Sequence, residues 1–425
     1  MRQHIIVGLD VGTTKICAVA AAEHPGGLDL IGMGVTHSVG LRKGMVINID
    51  DTVDSIRRAL AETEACTGVR IKSVSVGISG GHIKGFSSQG AVGIKGSEVT
   101  PSDIERAIEA ARTVYIPLDR EILHVIPTEF ILDGQEGITN PVGMSGVRLE
   151  ARVHIITGAV SSIQNLLKCC EKAGLDVVDI VFEPLASARA TLTRLEKESG
   201  VVLVDIGGGT TDIALFKDGS LRHASVLGIG GNHITNDIAV GLRVTMPDAE
   251  ILKKLSGAVA GQAADLPADI QITQSGGQVK TIPSECLVQI IQPRCEEVLE
   301  MVRGELKRCC GYEHAIYGVV MTGGSSLLKG FDKLAESTLD LPVRVGLPDM
   351  MNGLEPIIKN PQYSTGVGLV ASYPEHDRTK TVHAEDVNSM LGKMKHWARD
   401  IFRHAETTDI NHKKEGGTVC SRSKK

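Results

Sequence analysis

The sequence contains few aromatic residues: six Phe, five Tyr and one Trp in 425 residues. Its nine cysteines form no CxxC pair, and its histidines form no cluster at zinc spacing, so we expect reduced thiols in a cytosolic protein and no zinc site. The longest apolar run, Ile16 to Ala22, is much shorter than a membrane span, and Asp10 interrupts the region where a signal peptide would be hydrophobic. We therefore expect a chain that is neither secreted nor membrane-spanning.

The composition is that of a folded protein with two or three domains, since 42% of the residues are apolar and 23% are charged. Glycine is abundant, with 48 residues, which indicates many tight turns. The net charge of −6 argues against a nucleic-acid-binding protein. The charge is uneven, however, because residues 378–425 hold 11 Lys and Arg against 6 Asp and Glu. The C-terminal region is therefore electrostatically distinct.

One pattern occurs twice in the chain: an apolar strand that ends in Asp, a glycine turn with two threonines, and a returning apolar strand. The first copy runs over residues 5–20 and the second over residues 201–216. Two copies predict two half-molecules of similar topology, and hence a duplicated α/β fold with two lobes around a cleft.

Hydrophobic periodicity predicts the remaining elements. Helices are expected over 52–66, 104–112, 163–173, 185–199, 248–255 and 287–310. Strands are expected over 73–78, 121–132, 148–156, 177–181 and 319–321. Residues 257–277 read as a loop, and the turn-rich stretch 84–160 reads as a small inserted α+β subdomain.

The two glycine turns indicate a phosphate-binding site, since phosphates are bound by backbone N–H groups in tight turns at strand ends. Asp10 and Asp205 occupy matching positions in the two copies and are candidate Mg²⁺ residues, acting through waters. A single Asp-Gly turn is usually only a hairpin, so the prediction depends on the duplication. The segment from Thr322 to Ser326 follows a short strand and could expose bare backbone to a base, although such a Gly-Gly turn is more often a helix entry.

These motifs, in this order, resemble the superfamily of actin, sugar kinases and heat-shock chaperone ATPases. The resemblance implies ATP as cofactor, with ribose contacts near the start of the helix that follows the second motif. Glu250 and Lys253 would hold the ribose and purine, although an i,i+3 ion pair on a solvated helix face would give the same spacing. The implied nucleotide contacts are Gly12, Thr13, Thr14, Lys15, Gly207, Gly208, Gly209, Thr210, Thr211, Gly230, Gly231, Asn232, Glu250, Lys253, Gly323, Gly324 and Ser325.

Within that superfamily the sequence is most similar to the FtsA family of actin-like bacterial division proteins. The similarity rests on Gly8 to Lys15, Glu183 to Ala188, Gly230 to Ala239 and the inserted segment around Asn140 to Arg152. FtsA proteins more often carry a third glycine where Ser325 stands. Asp10, Glu183 and Asp205 could orient Mg²⁺ and a water, but binding residues alone do not establish turnover, so at most a weak ATPase is expected.

The C-terminal segment 387–403 has one apolar stripe at helical spacing with cations around it, as an interfacial membrane helix has. The alternative is a terminal helix docked on the protein's own core. The polar, proline-containing stretch before the segment favours the membrane. The residues expected at an anionic membrane are Met390, Leu391, Met394, Trp397, Ile401 and Phe402, with the cations Lys393, Lys395 and Arg399.

These features together predict the domain boundaries. Lobe 1 is expected at 1–83, 161–198 and 358–373, with the inserted subdomain at 84–160; lobe 2 at 199–227 and 297–357, with its own subdomain at 228–296; then a linker at 374–386, the amphipathic helix at 387–403 and a disordered tail at 404–425.

The family resemblance implies a protein that polymerises and tethers the tubulin-like protein FtsZ to the cytoplasmic face of the inner membrane at the division septum. It implies that the FtsZ C-terminal tail binds between Gly228 and Pro293 and that other division proteins are also partners. The alternative is a sugar or acetate kinase on the same fold, which would need a general base facing a substrate hydroxyl. A chaperone would need a substrate-binding domain, for which too few residues follow the last core helix.

Overall fold

The computed structural model describes residues 4–259, 267–309, 311–349, 353 and 359–372. The first elements are β1 (Ile5–Val11), β2 (Lys15–His24), β3 (Gly27–His37), β4 (Leu41–Arg42), β5 (Met45–Val46), α1 (Ile49–Thr67), β6 (Ser73–Ile78), β7 (Lys84–Gly93) and α2 (Pro101–Arg112). The next are β8 (Arg120–Leu132), β9 (Gln135–Ile138), β10 (Arg148–Ala159), α3 (Val160–Lys172), β11 (Asp176–Phe182), α4 (Glu183–Thr191) and α5 (Arg194–Ser199).

The second half of the described chain contains an antiparallel meander of three strands, six α-helices, two 3₁₀ helices and four shorter strands. These are β12 (Val201–Ile206), β13 (Thr211–Lys217), β14 (Ser220–Leu227), α6 (Gly231–Leu242), α7 (Met246–Ser256), β15 (Asp269–Thr273), β16 (Val279–Pro283), α8 (Ser284–Arg308) and α9 (Gly311–His314). The last are β17 (Val319–Thr322), a 3₁₀ helix (Gly324–Leu327), α10 (Phe331–Leu339), β18 (Val343–Val345), a 3₁₀ helix (Pro361–Tyr363) and α11 (Ser364–Ala371).

Two five-stranded sheets share one topology. The strand order is β11-β6-β1-β2-β3 in the first sheet and β18-β17-β12-β13-β14 in the second. In each sheet three consecutive strands form an antiparallel meander: β1 to β3 in the first sheet and β12 to β14 in the second. The first strand of each meander also pairs in parallel with a further strand, which pairs in parallel with a fifth. The duplicated α/β fold predicted from the repeated motif is therefore confirmed.

The register of the two hairpins corrects one detail of that repeat. Asp10 pairs with Cys17 and Asp205 pairs with Asp212, so the hairpins have equal length and the two aspartates are equivalent. The threonine pairs are not equivalent. Thr13 and Thr14 lie within the first turn, whereas Thr211 already begins the returning strand of the second.

Most predicted helices and strands are present within a few residues, but two predictions were wrong. The helix expected over 185–199 is two helices, because Leu192 is extended and Thr193 caps a new helix by accepting from the Glu196 N–H at 3.2 Å. The loop expected over 257–277 contains β15, which pairs with β16. Its alternation, with Ile270 and Ile272 buried, is too short to stand out in the sequence.

The chain forms two compact units, and the smaller comprises residues 88–113 and 125–153 among those described. A four-stranded sheet of order β7-β10-β8-β9 supplies its strands. Helix α2 begins at Thr100, which forms a reciprocal capping box with Asp103. The helix packs closely on β7, since a Cβ on Gly90 would lie 2.0 Å from the Ala111 nitrogen.

Within the described residues, no helix is both long and apolar enough to cross a membrane. The predicted linker, amphipathic helix and tail at 374–425 lie outside the described residues, and so does part of the stretch predicted to return to lobe 1.

Helices α4 and α11 approach each other closely beneath the first sheet. A Cβ on Gly368 of α11 would lie 1.9 Å from the backbone oxygen of Ala186 in α4. On its other side α11 meets β1, where a Cβ on Gly8 would lie 2.7 Å from Leu369 Cβ. Since α4 also carries Glu183 and Ser187, this contact sets where those side chains lie.

We therefore predict that Gly368→Ala lowers the free energy of unfolding by about 1–3 kcal/mol, because the added methyl must displace backbone. Gly304→Ala is the matched control: Gly304 is an exposed glycine inside α8 with no atom within 4 Å of the added methyl. It should stabilise the protein by about 0.5–1 kcal/mol through helix propensity. Urea denaturation measures both, and a Gly368→Ala variant as stable as the parent would contradict the close packing.

Candidate functional site

The two repeated hairpin turns have the same internal hydrogen bond. The Gly12 N–H donates to the Lys15 carbonyl at 3.0 Å, and the Gly207 N–H donates to the Thr210 carbonyl at 3.0 Å. Each turn follows a buried strand that ends in an aspartate and one apolar residue. The turns are therefore equivalent backbone structures, each carried by the central strand of its sheet.

The two turns meet tip to tip. A Cβ on Gly208 would lie 2.2 Å from Thr14 Cγ2, and a Cβ on Gly209 would lie 2.6 Å from Thr13 Oγ1. Only glycine fits at either position while the turns are this close. The structure thus brings together the predicted phosphate residues of both motifs, although Thr211 already uses its hydroxyl to donate to the Ile229 carbonyl at 2.9 Å.

Four carboxyl groups gather behind the turns: Asp10, Glu183, Asp205 and Asp212. Lys15 forms an ion pair with Asp10. Asp205 accepts a hydrogen bond from the Ser187 hydroxyl at 2.7 Å, and Asp212 accepts one from the Ser79 hydroxyl at 2.6 Å. The group therefore holds more potential negative charge than its one close lysine balances.

The pKa values follow from this crowding. Burial, and then the charges of Asp10, Asp212 and Asp205, raise the pKa of Glu183 well above its usual range. Burial and the neighbouring Asp205 raise the pKa of Asp212 to about 8. Burial lowers the pKa of Lys15, but the charge of Asp10 and the other neighbours outweigh it, and the net shift is upward. A further cation beside these carboxyl groups would relieve their repulsion.

The donor set fits a magnesium ion bound through its water shell. Magnesium keeps several waters and takes few direct protein ligands, so buried carboxylates that orient those waters suit it. Within the described residues, no three His, Cys, Asp or Glu side chains are arranged to ligate a metal directly. The excess of acidic groups around Asp10 and Asp205 supplies the charge that such a hydrated cation needs.

A second cluster forms where α6 and α7 meet. The Lys253 ammonium lies 2.7 Å from Glu250 Oε2 and donates to Thr235 Oγ1 at 2.8 Å and to the Gly231 carbonyl at 3.1 Å. Thr235 in turn donates to Glu250 at 2.5 Å. Glu250 and Lys253 therefore do form an i,i+3 ion pair on α7. The pair also bonds to Thr235 and Gly231 of α6, so it is more than an ion pair on a solvated helix face.

The start of α6 is attached to the second turn. The Gly231 N–H donates to the Gly207 carbonyl at 2.9 Å, and the Asn232 N–H donates to the Gly208 carbonyl at 2.8 Å. A Cβ on Gly230 would lie 2.7 Å from that same Gly207 oxygen. The residues predicted to contact the ribose therefore lie directly against the second glycine turn.

The predicted adenosine segment meets the same turn. Gly323 has a φ of +85°, and a Cβ there would lie 2.4 Å from Asp205 Oδ1. Ser325 donates through its hydroxyl to the Gly207 carbonyl at 3.1 Å. At Gly324 the nearest atom to a Cβ is 3.8 Å away, so this backbone is open on one side. All the predicted nucleotide contacts thus converge on two turns and the start of one helix.

Sequence reasoning gave no individual role to Asp212, Ser79 or Ser187. The hydrogen bond from Ser79 to Asp212 joins the end of β6 to β13, and therefore joins the two sheets at the site. Asp212 could have been found from the equal hairpin lengths, which place it opposite Asp205. Ser187 could have been found because it lies one helical turn after Glu183. Nothing in the sequence connects Ser79 to either.

Two equivalent sheets, each presenting a glycine turn to the other, define an actin-like protein. Solved structures of low sequence identity agree on this fold. The PilM-PilN type IV pilus biogenesis complex matches with a TM-score of 0.63 at 18% identity, over 86% of this chain and 97% of that chain. The ethanolamine utilization protein EutJ from Carboxydothermus hydrogenoformans matches with a TM-score of 0.51 at 18% identity, over 87% and 90%.

The sequence places the chain more narrowly. The family model for cell division protein FtsA matches residues 202–368, and the model for the SHS2 domain inserted in FtsA matches residues 80–157. FtsA of Pseudomonas aeruginosa is 46% identical over 86% of this chain and 88% of its own length. FtsA of Neisseria meningitidis is 40% identical over 94% and 99%, and FtsA of Escherichia coli K12 is 35% identical over 94% and 98%. The chain belongs to the FtsA family of cell division proteins, and the resemblance drawn from its motifs is confirmed.

The raised pKa of Asp212 predicts a pH dependence of stability. An unfolded aspartate titrates near pH 4, whereas Asp212 titrates at about 8 in the folded protein. Between these values the folded state holds a proton that the unfolded state has released, so stability falls as the pH rises. We expect the nucleotide-free protein to lose stability from pH 5 to pH 8, and Asp212→Asn to reduce that loss by at least about 1 kcal/mol.

Urea denaturation at several pH values measures the two slopes. Asp269→Asn is the control, because Asp269 is an exposed aspartate on β15, and this variant should keep the parental slope. Equal slopes for the parent and Asp212→Asn would show that Asp212 is ionised in the folded protein throughout this range.

Proposed function

We propose that this division protein binds ATP with Mg²⁺ against its two hairpin turns, forms actin-like filaments and tethers FtsZ to the cytoplasmic face of the inner membrane at the division septum. The observation that carries the proposal is the convergence of both turns, the start of α6 and the Gly323 to Ser325 segment on one place. A nucleotide needs backbone donors for its phosphates and an open backbone surface for its base, and this place offers both.

The proposed binding mode assigns the phosphates to the two turns and the ribose and purine to Gly230, Gly231, Glu250, Lys253 and the Gly323 to Ser325 segment. Asp10 and Asp205 would hold Mg²⁺ through its waters. When bound, the ion would supply positive charge against the phosphate oxygens. Glu183 faces the same carboxyl groups, and its raised pKa lets it hold a proton. We assign the chain at most a weak ATPase activity.

Lys253→Met tests the ribose and purine assignment. The variant keeps the length of the side chain and removes the cation that joins Glu250, Thr235 and Gly231, so we expect ATP affinity to fall by about tenfold. Lys254→Met is the matched control, because Lys254 follows on the same helix and also pairs with Glu250, at 3.3 Å, but is largely exposed. Isothermal titration measures both. Equal losses in the two variants would contradict the assignment.

We propose the domain boundaries given by the sequence: two lobe cores, an inserted subdomain at 84–160, a second subdomain at 228–296 and an amphipathic helix at 387–403. The second subdomain would bind the FtsZ C-terminal tail. A groove of about 610 Å³ beside the first half of α8 supports this location, since it has room for a short peptide. It is lined by Pro267, Ala268, Pro283, Ser284, Glu285, Val288, Gln289, Gln292, Pro293 and Glu296.

The membrane assignment rests on the sequence of the C-terminal segment, whose apolar stripe would enter the lipid while Lys393, Lys395 and Arg399 contact anionic headgroups. One such helix binds reversibly, and a filament that presents many copies would bind more tightly. Filament formation therefore supports membrane tethering, which is the physical link between the actin-like fold and the terminal helix.

Co-sedimentation with anionic liposomes, ATP, Mg²⁺ and a labelled FtsZ tail peptide tests the tether. We expect protein and peptide to pellet together with the intact chain. Trp397→Glu should leave both in the supernatant, because it places a charge in the apolar stripe, whereas Trp397→Phe should pellet normally. If the glutamate variant pellets like the parent, the terminal helix is not the anchor. If the protein pellets without the peptide, the FtsZ assignment fails.

A further inference from the structure

A small hairpin beside the first turn carries a lysine that no motif includes. Strands β4 and β5 are joined by Lys43 and Gly44. The Gly44 N–H donates to Thr13 Oγ1 at 3.0 Å, so the tip of this hairpin lies directly on the first phosphate turn. The hairpin therefore places Lys43 at the edge of the proposed nucleotide site.

The backbone at Lys43 is unfavourable for a lysine. Its φ is 50° and that of Gly44 is 73°, as in a two-residue hairpin turn with both central residues left-handed. Asn or Gly fits the first position of such a turn more easily than a long side chain does. The conformation of the turn therefore does not explain why a lysine occupies this position.

The Lys43 side chain reaches the opposite lobe. A Cβ on Gly228, between β14 and α6, would lie 3.6 Å from Lys43 Cδ and 3.7 Å from Lys43 Nζ. Lys43 is exposed and forms no ion pair with any other residue that the structure describes. Lys15, the cation of the first motif, is instead paired with Asp10. Lys43 is thus a cation beside the turns whose charge is available to a ligand.

The position of the hairpin indicates which part of the nucleotide the lysine would meet. A Cβ on Gly44 would lie 2.7 Å from the Ser79 carbonyl, and Ser79 donates to Asp212. The hairpin thus contacts the first turn, at Thr13, whereas the cluster of Glu250 and Lys253 is attached to the second turn through Gly231, which donates to the Gly207 carbonyl. If the base and ribose lie at that cluster, the phosphate chain runs along the turns from the second to the first, and its terminal group comes nearest the hairpin.

We propose that Lys43 binds the terminal phosphate of ATP and, by reaching Gly228, helps to hold the two lobes together when that phosphate is present. The proposal rests on the proposed ATP function and deepens it. An ammonium group bound to phosphate oxygens forms charge-assisted hydrogen bonds, which are stronger than neutral ones. Since ADP lacks the terminal phosphate, Lys43 should distinguish the two nucleotides.

The test compares the affinities of the full chain and its Lys43→Asn variant for ATP and for ADP, each with Mg²⁺, by isothermal titration. We expect the variant to bind ATP about tenfold more weakly and ADP within about twofold of the parent. Asparagine suits the left-handed position, so the nucleotide-free variant should unfold at the same urea concentration as the parent or a higher one. Misfolding would therefore be visible separately from lost affinity.

Arg42→Asn is the matched control, because it removes an exposed cation from the neighbouring residue of the same hairpin and should leave both affinities unchanged. Lys43→Arg should retain most of the preference for ATP. Unchanged ATP affinity in Lys43→Asn would overturn the proposal, and so would equal losses for ATP and ADP. If the parent chain binds neither nucleotide, the proposed function itself fails and the role of Lys43 fails with it.

Discussion

The contact between the two glycine turns is the constraint on which the rest of the site depends. Gly208 and Gly209 lie so close to Thr14 and Thr13 that no side chain fits at either glycine. This closeness brings the aspartates of the two repeats into one buried region and lets Ser79 bond to Asp212 across the sheets. Helix α6 is attached to the second turn, because its first N–H groups donate to the carbonyls of that turn. A change in the distance between the turns would therefore move α6, and with it the cluster of Glu250 and Lys253, relative to the first turn.

The buried carboxyl groups repel one another when they are ionised, and this repulsion destabilises the folded protein. Burial and mutual repulsion raise the pKa values of Glu183, Asp205 and Asp212. Lys15 forms an ion pair with Asp10, and its charge only partly offsets the upward shifts at Glu183 and Asp205. A folded protein can tolerate a cluster of buried carboxyl groups either by keeping some of them protonated or by binding a cation beside them. The first choice leaves stability dependent on pH, and the second makes it dependent on ligand. If a hydrated metal and phosphates bind there as proposed, the cation would offset this repulsion and so stabilise the folded protein.

The sequence predicted the fold well where a pattern was repeated or periodic. The Asp, glycine-turn and strand repeat predicted both sheets, and the amphipathic spacing predicted α1, α3 and α8. It failed where a local signal overrode a helical pattern, as at Thr193, or where an alternating strand was only five residues long, as in β15. At the site, the motifs predicted residues that the structure brings close together. The sequence indicated no role for Ser79, Ser187 or Lys43, because their contacts form only when segments distant in sequence are brought together.

The departure from the family pattern at Ser325 has a structural explanation. A third glycine there would give the predicted adenosine segment no side-chain hydrogen bond at this position. The serine hydroxyl instead donates to the Gly207 carbonyl, and the side chain lies against Gly231, where a Cβ would approach its oxygen to 2.5 Å. The Ser325 side chain therefore contacts the second turn and Gly231, while the open backbone is at Gly324. The serine connects the adenosine segment to the second turn without occupying the space beside Gly324 that a base would use, so the sequence difference leaves the proposed binding surface intact.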